Sequence, residues 1–477
     1  MSSSAKQVVI AMLALFASLA ACGGSEYSHE KVVEVAHDGI FTMSPTGSQP
    51  AYRYIGRYDR VYIGYFNSLN EIQILTYDRD ANEFSPPVTL WQDWGSRCNG
   101  MLGDDHANPA IVVLAHQNDP EEKRKIVVAS AEHGCRLDVV KSVNQEDIEQ
   151  WHEPIQLMNE KATYARLIEL NDGTLWLIVR QSWADSNARA TFFYFVSNDS
   201  GASWSGPNIL VDTDDLRDAS SIYLTSYQDR SNSRIHFMFN KVVYDDPVKG
   251  VHRYQDVYYA AYDYISDLWL GASGATLASS TPLILSRADP VYLTDSTPQE
   301  EDWTYLSDIK VDAEGAPFLL SLNNIGLGFV SRQLSCKEAQ IIRHSFVGGQ
   351  WVNEVVGLSA IFNYTNMATF DQDDVGVVYG FEQNQYCYGE LTRYRIGCDS
   401  EWCGERLTAN TQGKSHARPF AVIDADDGYP RSRLRVLWSM IDENYPGSPY
   451  TEWESSIFAL IVGDVMLPLV SADLSFN

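Results

Sequence analysis

Four side chains between residues 100 and 180 combine the types needed for proton transfer next to a carboxylate: His106, His133, Tyr164 and Arg180. Each lies at the beginning or end of a short apolar segment of strand length. An imidazole can remove a proton near neutral pH, and a phenol can give one to a departing oxygen. A guanidinium binds a carboxylate through two hydrogen bonds and stabilises charge that spreads onto it. The set therefore suits elimination beside a uronate carboxylate, with no metal or organic cofactor required.

Three further residues are candidates for binding a sugar chain near this set. Trp183 and Tyr223 offer aromatic faces for stacking, and Lys241 offers a cation for a carboxylate. We expect His106 to act as the base and Tyr164 as the acid, although the opposite assignment stays open. His133 would orient His106 or help to hold the carboxylate.

The elements that must position these residues are strands. β-Branched and aromatic runs of strand length alternate with turn clusters rich in Asp, Asn and Gly, for example 61–66, 71–77, 175–179 and 191–196. A strand, an Asp or Gly turn and then a Trp or Phe recur at intervals of roughly 40 to 70 residues, near the period of a four-stranded blade. The sequence predicts an all-β fold, a single β-propeller of about seven four-stranded blades.

One copy of the repeat is sharply defined. Residues 197–204 read Ser-Asn-Asp-Ser-Gly-Ala-Ser-Trp, which matches the Asp-box Ser-x-Asp-x-Gly-x-Ser/Thr-Trp. Asp199 can accept hydrogen bonds from the turn, Gly201 can take a positive φ, and Trp204 can pack beneath the blade. The motif indicates a propeller but says little about catalysis.

These features together resemble the BNR-repeat propellers, and among them the ulvan lyases of the polysaccharide lyase class. The resemblance covers most of the chain and includes the Asp-Asp-His stretch at 104–106, the Asp-box, Asp256-Val-Tyr-Tyr259 and Arg418-Pro419. It implies a canyon for an anionic chain, proton transfer by a His and a Tyr, a second assisting His, and an Arg that neutralises the uronate. The insert 118–125 between the two His-bearing strands departs from the pattern.

The first residues indicate export. Lys6 precedes an apolar run, 8–19, that is too short to span a bilayer but suits a signal peptide. The run ends in a lipobox at Cys22, so we expect a signal peptide over 1–21, a lipidated Cys22 with a tether over 22–28, and the catalytic propeller over 29–477. The expected location is the outer membrane or cell surface of a Gram-negative bacterium.

The formal charge of −28 argues against nucleic acid as a partner. An anionic polysaccharide remains compatible, because a local group of cations can focus positive potential in an acidic protein. A closed propeller needs no partner subunit, so a monomer is expected.

Six cysteines remain after Cys22, and in an exported protein disulfides are the default interpretation. Cys336, Cys387, Cys398 and Cys403 are also candidates for a structural zinc site, although their spacing lacks the usual Cys-x-x-Cys. Calcium is a second candidate for a structural ion. The sequence does not decide between disulfides and metal.

Two other functions remain open. A sialidase-like glycoside hydrolase shares the Asp-box, but no early Arg-Ile-Pro-like segment is present. A surface glycan-binding lipoprotein without activity would need only the aromatic residues. The sequence also does not decide whether the uronate is glucuronate or iduronate, or whether cleavage is endo or exo.

Overall fold

The computed structural model of the chain describes residues 30–39, 41, 49–69, 71–91, 108–131, 136–159, 162–181, 191–213, 221–246, 251–294, 303–324, 338–360, 368–397, 401–409, 413–425, 433–442 and 455–462. Within these ranges the regular structure is β-sheet, apart from one turn of 3-10 helix at Leu285–Arg287. The same ranges hold no helix long and apolar enough to cross a membrane.

Seven of the sheets in these ranges follow one another along the chain as the blades of a propeller. Blade 1 contains β2 (Ala51–Ile55), β3 (Asp59–Phe66) and β4 (Ile72–Asp78), with β5 (Glu83–Phe84) and β6 (Val88–Trp91) both paired to β4. Blade 2 contains β7 (Ala110–Val113), β8 (Ile126–Ser130), β9 (Leu137–Lys141) and β10 (Ile155–Met158). Blade 3 contains β11 (Ala162–Glu169), β12 (Leu175–Gln181), β13 (Phe192–Ser197) and β14 (Ser205–Ile209).

Blade 4 has the longest hairpin. It contains β16 (Ser221–Asp229), β17 (Arg234–Asp246), β18 (Val251–Asp263), β19 (Leu268–Leu270) and β20 (Thr276–Ala278), with β22 (Asp289–Tyr292) paired to β18. Blade 5 contains β23 (Trp303–Val311), β24 (Pro317–Asn324), β25 (Glu338–Val347) and β26 (Gln350–Ala360). Blade 6 contains β27 (Ala368–Phe370), β28 (Val377–Gln383), β29 (Gly389–Ile396) and β30 (Trp402–Arg406).

Blade 7 closes the ring. Its strands are β31 (Lys414–Phe420), β33 (Leu434–Asp442), β34 (Ser455–Val462) and the N-terminal β1 (Glu30–Ala36), which pairs antiparallel with β34. A short strand, β32 (Ile423–Asp424), pairs parallel with β2, and β15 (Val211–Asp212) pairs parallel with β21 (Leu283–Ile284). The prediction of an all-β, seven-bladed propeller is confirmed.

The core lies between neighbouring sheets, where the blades pack face to face. Blades 3 and 4 enclose a cluster that includes Ile178, Phe237 and Trp269, all fully buried. Blades 7 and 1 enclose another, which includes Ile63 and Leu437. Because both faces of each blade are covered, many strands read as continuous apolar runs.

The Asp-box forms the turn predicted for it, between β13 and β14. The Asp199 carboxylate accepts hydrogen bonds from the Ser203 amide (2.8 Å) and the Ser197 hydroxyl (2.9 Å), and Gly201 has φ +80°. The Trp204 indole donates to the Gly201 carbonyl at 3.3 Å. Burial opposes ionisation of Asp199, but the hydrogen bonds from Ser203 and Ser197 outweigh it and lower its pKa.

Candidate functional site

Tyr164 lies in a β-bulge at the beginning of β11. Thr163 pairs with Arg180 and Arg166 with Ile178, so two residues of β11 have no ladder partner between these pairs. Tyr164 itself has φ +57° and a fully buried side chain. A left-handed conformation at a non-glycine residue costs about 1–3 kcal/mol and is concentrated at functional sites. The bulge redirects the Tyr164 side chain relative to the rest of the strand.

Arg180, at the end of β12, lies beside this bulge and is buried. Its Nη2 donates a hydrogen bond of 2.6 Å to the Ser221 hydroxyl. Its guanidinium carbon lies 4.6 Å from the ring centroid of Tyr223 and 5.7 Å from that of Tyr164. Both contacts are within the range of cation–π interactions. The structure therefore brings together three of the predicted site residues: Tyr164, Arg180 and Tyr223.

A row of buried aromatic rings extends from this point across three blades. Ring centroids are 5.6 Å apart for Tyr164 and Tyr223, 5.5 Å for Tyr223 and Tyr254, and 5.0 Å for Tyr254 and Tyr305. Tyr164, Tyr223 and Tyr305 lie near the first residues of the inner strands β11, β16 and β23. We call the end of the central channel at which these inner strands begin the entry end. Sequence reasoning missed Tyr254 and Tyr305, because nothing local distinguishes them among 27 tyrosines.

Lys241 is on β17, next to a second bulge. Asn240 pairs with Val257 and Lys241 with Gln255, which leaves Asp256 as the extra residue, with φ +58°. The Lys241 ammonium lies 3.4 Å from the Asp256 carboxylate. Lys241 is thus ion-paired within its own blade.

Other predicted site residues lie outside the described part of the chain: His106, His133, Trp183, Cys22, Cys336 and Cys398. Cys387 is in a disulfide, which is the arrangement the export signal favoured, and a disulfide sulfur cannot serve as a zinc thiolate. The zinc hypothesis is therefore wrong for Cys387. Cys403 lies half-buried on β30, with its sulfur 3.8 Å from the Glu401 carbonyl. No group of three His, Cys, Asp or Glu side chains in the described ranges is arranged to hold a metal ion.

A cavity of about 600 Å³ occupies the opposite end of the channel, away from Tyr164 and Arg180. The Lys310 ammonium on its wall donates to the carbonyls of Asp371 and Gln372 at 2.7 and 2.6 Å, and so joins blade 5 to blade 6. The Asp308 carboxylate accepts bonds from Thr369 and Phe370 of blade 6.

Arg166 and Asp424 add further contacts between blades at this end of the channel. Arg166 donates to the Ser226 carbonyl of blade 4, and Asp424 accepts a bond from Gln372 and lies 3.7 Å from Arg53 of blade 1. Burial raises the pKa of Asp424 to about 7. Sequence reasoning missed this set, although charged residues inside apolar strands, such as Arg166, were a visible signal. The set joins neighbouring blades at this end of the channel.

Residues 60–356, more than half of the chain, match the profile of the BNR repeat-containing family. The chain belongs to this family. No curated protein matches this member of the BNR repeat-containing family.

Several solved structures share the fold of this BNR repeat-containing protein. A polysaccharide lyase of family PL25, an ulvan lyase, aligns with a TM-score of 0.66 and 16% identity over 91% of this chain and 96% of its own. The same kind of lyase bound to a GlcA(1-4)Rha3S chain aligns with a TM-score of 0.65 and 15% identity, with the same coverage. The polysaccharide lyase Uly1 aligns with a TM-score of 0.56 and 12% identity, over 92% of this chain and all of its own. At identities this low, the structural alignments establish a common fold.

Proposed function

We propose that this protein is a polysaccharide lyase that cleaves a uronate-containing, sulfated polysaccharide, with ulvan as the first candidate, by β-elimination. The observation that carries the proposal is the buried guanidinium of Arg180 held beside Tyr164 at the entry end of the channel. The fold shared with solved ulvan lyases supports it.

The reaction breaks the bond between C4 and the glycosidic oxygen. A base removes the proton at C5, and the electron pair of that C–H bond forms a C4=C5 double bond while the C4–O bond breaks. The departing oxygen takes a proton from the acid. In this proposal Arg180 binds the uronate carboxylate and stabilises the charge that develops on it as C5 loses its proton.

Tyr164 is the proposed acid, because its ring lies next to Arg180 and a phenol can protonate a leaving alkoxide. His106 is the proposed base and His133 its assistant. These two assignments rest on their place in the sequence. Tyr223, Lys241 and Trp183 are the proposed contacts to neighbouring sugars, with Lys241 exchanging Asp256 for a substrate anion.

The same proposal covers location and assembly. The protein would be exported, lipidated at Cys22, attached to the outer membrane or released at the cell surface, and active as a monomer. Membrane contact would be through the lipid alone, and the elimination itself would need no cofactor.

The test uses purified residues 29–477 with ulvan and with other uronate polymers, following the ultraviolet absorbance of the new C4=C5 bond. A carboxyl-reduced sample of the same polymer is the matched control, because it removes the group that Arg180 is proposed to bind. We expect absorbance to rise with the native polymer only, and the rise to be lost in His106→Ala.

Other outcomes would replace the proposal. Saturated reducing ends without the absorbance rise would indicate a hydrolase. Binding to the polymer without cleavage, by a folded protein, would indicate a glycan-binding lipoprotein.

A further inference from the structure

The groups that hold the Arg180 guanidinium come from a different blade. Arg180 belongs to β12 of blade 3, whereas Ser221 and Tyr223 belong to β16 of blade 4. Ser221 is fully buried, and its hydroxyl oxygen accepts the hydrogen bond from Arg180 Nη2 at 2.6 Å. Ser221 and Tyr223 are two residues apart on one strand, so their side chains lie on the same face of the blade.

These two contacts restrict different motions of the guanidinium. The Tyr223 ring, 4.6 Å from the guanidinium carbon, limits movement toward or away from its face. The bond to Ser221 limits rotation of the planar group about the side-chain axis. An arginine side chain carries about 2 kcal/mol of rotamer entropy, and a planar group that is already oriented loses less of it on forming its next hydrogen bonds.

The chemistry of Ser221 also matters. A hydroxyl accepts a hydrogen bond without adding negative charge, so the positive charge of Arg180 is not reduced by this partner. An ion pair such as Lys241 with Asp256 behaves differently, because its carboxylate competes with any incoming anion.

We propose that Ser221 is a positioning residue that orients Arg180 to receive the uronate carboxylate with two hydrogen bonds. The inference rests on the proposed function, and it assigns to blade 4 the alignment of a reacting group supplied by blade 3. Ser221 acts through Arg180 and need not touch the substrate.

The experiment compares Ser221→Ala and Ser221→Thr, each in the native chain and in Arg180→Lys. Ser221→Ala should lower kcat by about 10- to 100-fold with a smaller change in KM, because orientation matters most in the transition state. Ser221→Thr keeps a hydroxyl and should stay within about threefold of the native chain. In Arg180→Lys, Ser221→Ala should have little further effect, since contacting groups are not additive.

Binding provides a second readout that survives loss of activity. The affinity for a uronate oligosaccharide is measured for the native chain, for Arg180→Lys, and for the two Ser221 variants in each of these backgrounds. A loss on Ser221→Ala that is as large in Arg180→Lys as in the native chain would overturn the inference, and so would unchanged affinity and kcat. An inactive native chain would overturn the proposed function. The comparison of affinities in the native and Arg180→Lys backgrounds would then decide the role of Ser221. Absence of both cleavage and binding would refute both.

Discussion

Tyr164→Phe removes one oxygen atom from the proposed acid and leaves the rest of the site in place. The edge-to-face contact with Tyr223 and the approach of Arg180 involve the ring, so they do not depend on the hydroxyl. Phenylalanine also keeps the left-handed backbone as it is, because the backbone cost depends on the Cβ that both residues carry. We therefore expect the free energy of unfolding to fall by about 0.5–1.5 kcal/mol, the usual net contribution of one hydrogen bond.

The effect on catalysis should be much larger. General acid catalysis contributes about 10²- to 10⁴-fold, so the activation free energy should rise by about 2.7–5.4 kcal/mol. Initial rates of the ultraviolet absorbance change give kcat and KM, and urea unfolding of the same samples gives the stability.

The matched control is Tyr194→Phe in the same blade, whose hydroxyl contacts Thr281 at 3.0 Å. It should lose a comparable amount of stability and keep its rate. If Tyr164→Phe cleaves ulvan within about threefold of the native rate, then Tyr164 is not the acid and the assignment of the site must change.

Three predictions concern stability. Burial lowers the pKa of His344 from 6.5 to about 4. Between these pH values the unfolded chain binds a proton at His344 that the folded chain does not bind. The free energy of unfolding should therefore fall by up to about 3 kcal/mol as the pH drops from about 6.5 to about 4. His344→Gln should flatten this slope in urea titrations at pH 7.5, 5.5 and 4.5, and an unchanged slope would contradict the assignment. Asp199→Ala should lower the free energy of unfolding by about 1–3 kcal/mol, because it leaves the donors of the Asp-box turn without their acceptor. It should leave kcat unchanged, because this turn lies at the end of blade 3 opposite to Tyr164 and Arg180. A large loss of kcat in the folded variant would refute this prediction. A reductant should lower the melting temperature by opening the disulfide at Cys387, whereas a chelator that lowered it equally would point to a metal ion instead.

The fold was largely predictable because its signals are local. Aromatic and β-branched runs between Asp and Gly turns indicate strands, and the Asp-box specifies its own turn through contacts within eight residues, from Ser197 to Trp204. The repeat of such units indicates a propeller without knowledge of any long-range contact.

The candidate site was only partly predictable. Tyr164 and Arg180 could be selected because they flank one hairpin, and the register of that hairpin brings them together. The bulge and the left-handed backbone at Tyr164 could not be predicted, since Tyr is not a residue that favours this conformation.

By itself, the sequence determined the strand pattern, the Asp-box turn and the residue types available for proton transfer. Only the tertiary structure decided that Ser221, 41 residues beyond Arg180, would accept a hydrogen bond from its guanidinium, and that β1 would complete the last blade. The physical reason is the same for both. Contacts between blades depend on how whole sheets pack and on where the ring closes, and no local pattern of residues encodes which side chains will meet across that packing.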